Sequence, residues 1–144
     1  MSVRQQIAEY ISGQPGPKSD ELRRLHRLML EIAPECRLWF LDGKDETGKT
    51  VANPNIGYGA LDIHYANGAT REFYRVGLSA NTTGISIYIM GLDDRKYLSQ
   101  AYGPGLGKAS VTGYCVKFKS LSDLNGAVLQ DMLRFGLSDR LEGA

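Results

Sequence analysis

The residues of this chain best suited to chemistry are tyrosines and a few polar side chains on strand-like runs. Tyr58, Tyr65, Tyr74, Tyr88 and Tyr114 all fall on or beside such runs, with Trp39, Arg75 and Lys117 near them. Aromatic rings with a small number of polar groups line ligand pockets and protein interfaces. A ring supplies apolar area, and a polar tip fixes orientation. Tyr58, His64, Arg75, Tyr88, Tyr114 and Lys117 are therefore the candidate ligand-binding residues. The competing role for the rings is core packing with each hydroxyl bonded.

Other constellations are thinner. Asp62 and His64 stand two apart on a strand and so share a face, but a hard cation such as iron wants several oxygen ligands gathered together. Asp93 and Asp94 would extend the set, although both are accounted for as helix-start residues. Thiol catalysis needs Cys36 or Cys115 within hydrogen-bond reach of a base, and the only two histidines are His26 and His64. Cys115 and His64 are the pair that a sheet could bring together; a free cysteine otherwise packs as a small hydrophobe. Gly105-Leu106-Gly107-Lys108 has the look of a phosphate loop, but the spacing fails. Tyr102 stands where the first glycine belongs, and Ala109 where Ser or Thr must follow the lysine. Arg23, Arg24, His26 and Arg27 read as the solvated outer side of a helix. No catalytic residue, metal ligand or cofactor is assigned.

The totals narrow the classes. A chain of 144 residues is long enough for one domain with a core of its own. With 17 Lys and Arg against 16 acids, the net charge of +1 argues against a nucleic-acid binder, which shows a clearly basic balance. The two cysteines lack Cys-x-x-Cys spacing and no signal-like apolar run opens the chain, so free thiols in the cytoplasm are expected. No run is long enough to span a membrane.

These residues must be positioned by local elements. Ile85, Ile87 and Ile89 alternate with Ser86, Tyr88 and Met90, which predicts a two-faced central strand over residues 84–91. Ser2 and Gln5 form a capping box before a helix with Ile7 and Ile11 on one face. The Gly- and Pro-rich run 13–17 ends it, and Ser19 is expected to cap a second helix bearing Leu22, Leu25, Met29 and Ile32. Residues 36–41 read as a first strand and 42–59 as a long loop, a small irregular hairpin or a functional segment. Leu61–Ala66 alternates and meets Asn67-Gly68, the signature of a two-residue type I′ turn, with a return strand over 69–78. That register sets Glu72 on the face of Ile63, so a bulge or early bend is expected near 70–72. A short helix over 93–101 stopping at Gly103, a strand over 111–119 and a final helix capped by Ser122 or Asn125 complete the reading. The fold class is α+β: a single antiparallel sheet of about five strands with helices packed on one face. The other face is the place to look for function.

Several short runs carry a family resemblance over most of the chain, from the first helix to about Leu133. They are Gly57-Tyr58-Gly59, Tyr65-Ala66-Asn67-Gly68, Val76-Gly77-Leu78-Ser79, Ile87-Tyr88-Ile89-Met90, and Gly107-Lys108 followed by Tyr114 to Asp123. In their order and spacing they resemble the YdhG-like family of small bacterial domains of unknown function. That resemblance implies a frataxin-like α+β fold and, because some relatives are described as intracellular iron chaperones, a role with iron. Frataxin-type iron binding uses an acidic ridge on the first helix, where this chain offers Glu9.

The leading expectation is a cytoplasmic, non-enzymatic domain, 1–144, that binds a small ligand or a protein partner on its Tyr-rich sheet face. A second copy of the chain, forming a homodimer, is one such partner. An iron-binding role and a thiol or acid–base enzyme built on Cys115 and His64 are the alternatives.

Overall fold

The computed structural model describes residues 1–138; the end of the expected 1–144 domain lies outside the described residues. The fold is α+β: four α-helices and a six-stranded antiparallel sheet, with a two-stranded extension, among the described residues.

The first helix, α1 (Val3–Ser12), is capped as the sequence predicts: Gln5 N donates to Ser2 Oγ and Ser2 N to Gln5 Oε1, at 3.1 and 3.0 Å. The second, α2 (Gly16–Ile32), starts earlier than predicted, with proline at the start of its first turn, where a missing amide costs nothing. Ser19 is therefore not the cap. It is buried inside the helix and donates to the Ile11 carbonyl at 2.7 Å, tying α2 to the end of α1. Strand β1 (Leu38–Leu41) follows.

The loop predicted over 42–59 ends in a core strand, β2 (Asn55–Tyr58), with Ile56 and Tyr58 fully buried. A bridge between Lys44 and Thr50 makes the rest a small hairpin. Strands β3 (Leu61–His64) and β4 (Thr70–Phe73) form the extension, and β5 (Val76–Asn81) and β6 (Gly84–Ile89) the sheet centre. The turn at Asn67-Gly68 is not type I′. Tyr65 N bonds the Ala69 carbonyl, and among the described residues only glycines have positive φ, with Gly68 at 86°. The loop thus holds three residues, which pairs Ile63 with Arg71 and Asp62 with Glu72. This removes the conflict that called for a bulge at 70–72. The bend falls instead at Tyr74-Arg75, between β4 and β5.

Helix α3 (Tyr97–Leu106) begins after Asp94, which accepts from Lys96 N at 2.9 Å, and it runs past Gly103 to Gly107, at φ 110°. The strand predicted over 111–119 is a hairpin, β7 (Ser110–Thr112) and β8 (Cys115–Phe118), turning at Gly113, φ 49°. Asn125 caps α4 (Gly126–Leu137), which buries Leu129, Met132 and Leu133.

The sheet order is β1-β2-β5-β6-β8-β7. Side chains alternate across it. Tyr58, Val76, Leu78, Ile85, Ile87, Ile89 and Val116 face the helices and join Leu22, Leu25, Met29 and Met132 in one apolar cluster. No helix of the described residues is long and apolar enough to cross a membrane.

One polar contact holds α1 to this sheet. Past β2, Pro54 has no amide to offer β5. The Tyr10 hydroxyl fills the gap, accepting from Ala80 N at 2.8 Å and donating to the Pro54 carbonyl at 3.2 Å. Tyr10→Phe is expected to destabilise the fold by about 1–3 kcal/mol, the cost of leaving a part-buried amide unpaired. Chemical denaturation measures this directly, and an unchanged midpoint would show that water replaces the hydroxyl.

Candidate functional site

The face away from the helices is built on small residues. Across it run Trp39, Gly57, Gly77, Tyr88 and Cys115, cross-strand neighbours from β1 to β8. Gly57 and Gly77 make a trough, and the bend at residues 74–75 lays the Tyr74 ring into it. A Cβ on Gly57 would come within 2.4 Å of the ring, and one on Gly77 within 2.6 Å. Phe73 stacks on Tyr74 at 4.1 Å, and Trp39 meets Phe73 edge-on at 5.9 Å. Arg37 lies over Trp39 at 3.9 Å and Arg71 over Phe73 at 4.5 Å, so cations cover the outer rings. Arg37 also pairs with Glu72.

Beyond Tyr74 the face is aromatic and open. Tyr88 is half-buried, with Tyr114 beside it at 6.1 Å between ring centroids and a 38° tilt. Tyr114 sits in the β7–β8 turn and is 54% exposed. It lines two adjoining hollows. One, of about 410 Å³, lies between β3 and the segment after β6 and includes Asp62, His64 and Asp93. The other, of about 530 Å³, includes Leu92, Arg95 and Cys115. Burial raises the pKa of both the Tyr74 and Tyr88 hydroxyls, that of Tyr74 well above the ordinary range, so both stay neutral at physiological pH.

The predicted site residues therefore separate. Tyr88 and Tyr114 come together, and His64 shares a hollow with Tyr114. Lys117 lies two pairs along β8 from Cys115, on the same face, but it opens on a different cavity. Arg75 turns away to the helix side of the bend, where it donates to the Ser138 carbonyl at 2.7 Å, just past α4. Tyr58 is a correction. It pairs with Val76 and Leu38 in the row facing the helices, is fully buried, and bonds His26 Nδ1 at 2.6 Å. His26 accordingly does not decorate the outer side of α2. Sequence reasoning did not single out Phe73 or the two glycines; Gly77 stood in a strand-like run, but Gly57 stood in a segment read as a loop.

Among the described residues no three His, Cys, Asp or Glu side chains gather in a way that could hold a metal ion, so the donor set does not fit iron. At Cys115 burial raises the thiol pKa, and it outweighs the opposing pull of Lys117 and the Ser86 hydrogen bond. Burial raises the Cys36 thiol too. Nucleophilic cysteines need the opposite shift.

The chain matches no family model, no curated protein and no solved structure.

Proposed function

We propose that this chain is a cytosolic, non-enzymatic binding domain that seats a planar small molecule against Tyr88 and Tyr114. The observation that carries the reading is Tyr114: a solvent-facing ring, set beside a second ring, at the shared wall of two hollows. Exposed aromatic area on an otherwise helix-free sheet favours a flat apolar ligand, and both hollows fall in the size range of small-molecule sites. His64, Asp62 and Arg95 on their walls supply the polar contacts that would fix orientation. The resemblance to the YdhG-like family is compatible with a binding role and assigns no reaction.

Titration of the protein with a panel of aromatic metabolites, followed by amide chemical shifts, tests this. Shifts are expected to cluster at Tyr88, Tyr114 and residues 90–93, and Tyr114→Ala is expected to weaken binding about tenfold, equivalent to roughly 1.4 kcal/mol. No shift from any member, with concentration-dependent dimers in sedimentation, would overturn the small-molecule reading in favour of a protein interface.

A further inference from the structure

A lysine-bearing region of the fold lies at the end of the sheet, beyond the Tyr88–Cys115 pair. There the β5–β6 turn, the start of β7 and the end of β8 border an open cavity of about 430 Å³. Lys108, Lys117 and Lys119 line it, with Asn81, Thr83 and Ser110 between them. The backbone places all three around this hollow. Lys117 lies on β8 as the cross-strand partner of Ser110, and Lys119 follows directly after the end of that strand. Lys108 is fixed by Gly107, whose φ of 110° and bridge to Leu124 turn the chain, and by its own amide bonding the Asp123 carbonyl at 3.1 Å. A side chain on Gly107 would meet that carbonyl at 2.3 Å.

Positive charge outnumbers negative charge on the wall of this cavity. The ion pairs seen among the described residues are Arg23–Asp20, Arg37–Glu72 and Arg134–Asp131, and none involves these lysines. Three ammonium groups share the wall with the one carboxylate of Asp123. Like charges gathered in one hollow repel, and an anion that binds there relieves the repulsion. Lysine acts on phosphate as a point charge, and hydroxyl and amide donors complete the shell. The cavity exceeds what a bare phosphate fills, and Ile85 and Phe118 give it an apolar side.

We propose that this cavity binds a phosphorylated small molecule, with its phosphate among Lys108, Lys117 and Lys119 and its organic part against Phe118. A long polyanion is disfavoured, because the chain as a whole carries 16 acids against 17 basic residues and offers no extended positive field. The site differs in kind from a phosphate-binding loop. Lys108 follows the C-terminus of α3, whereas the lysine of a phosphate-binding loop stands at the start of a helix. Its lining residues are separate from those of the two hollows beside Tyr114.

The test is calorimetric titration at constant ionic strength with inorganic phosphate, ribose 5-phosphate and a single-stranded oligonucleotide, on the wild type and on Lys117→Gln/Lys119→Gln. Ribose 5-phosphate is expected to bind at least tenfold more tightly than phosphate, and the double variant to lose at least tenfold while melting at an unchanged temperature. Lys108→Gln is expected to give a smaller loss in the same direction. Amide shifts on ribose 5-phosphate binding are expected at residues 83, 108–110 and 117–119. Equal affinity in wild type and variant overturns the proposal, as does an oligonucleotide that outcompetes ribose 5-phosphate through the same lysines.

Discussion

Gly77→Ala is expected to destabilise the protein by about 1–3 kcal/mol, against the usual benefit of replacing a strand glycine. The new methyl would lie 2.6 Å from Cε1 and 2.7 Å from Cζ of Tyr74. The ring cannot easily withdraw, because Phe73 is stacked on it at 4.1 Å. Gly57→Ala meets the same ring at 2.4 Å and is expected to cost as much. The decisive measurement is the double mutant. Truncating the ring, Tyr74→Ala, costs about 3–5 kcal/mol on its own by the rule for large aromatic side chains. In that background Gly77→Ala should be neutral or stabilising, because the clash is gone and the glycine entropy penalty remains to be recovered. Urea midpoints give both legs of the cycle, and strict additivity would show that the trough is not what demands glycine.

The second large effect concerns the buried polar pair beneath α2. Tyr58→Ala should cost about 3–5 kcal/mol, since a fully buried ring leaves a cavity next to Val76. Tyr58→Phe keeps the volume but removes the hydroxyl that meets His26 Nδ1 at 2.6 Å, and about 1–3 kcal/mol is expected for the orphaned nitrogen. The pair also sets a pH dependence. Burial lowers the His26 pKa, and the Arg4 charge adds to the effect. The native state thus resists protonation, while the unfolded chain takes up the proton near the ordinary value of about 6.5. The unfolded state then binds more protons, so stability rises with pH and is lost as pH falls below about 6.5. Denaturation midpoints between pH 7.5 and pH 5 should decline, and His26→Gln should flatten part of that decline. An identical slope in the variant would remove His26 from the account.

Local pattern alone established much of this architecture. The alternation at Ile85, Ile87 and Ile89 places β6, and the stripe at Leu129, Met132 and Leu133 places α4. Ser2 with Gln5 marks the start of α1. These signals survive because period and capping depend on residues a few positions apart. Boundaries and turns were less legible: a proline tolerated at the start of α2 outweighed the cap expected at Ser19, and a loop of three residues replaced one of two at Gly68.

The site is where sequence and tertiary structure part. Tyr58 and Tyr88 are the same residue type on neighbouring parts of one sheet, yet one is sealed under helices and the other lies on the open face. Alternation shows that a strand has two faces but not which of them will be covered, since that depends on where the helices land. Strand β2 was hidden in a loop-like segment because Gly57, poor for a strand by itself, is required there by a ring 17 residues away. Lys108 and Lys117 share a cavity only because β7 and β8 fold back as a hairpin. The sequence determined the periodic elements through local sterics and hydrogen bonding. Only long-range packing, which couples residues far apart in the chain, decided which aromatics and which lysines came together.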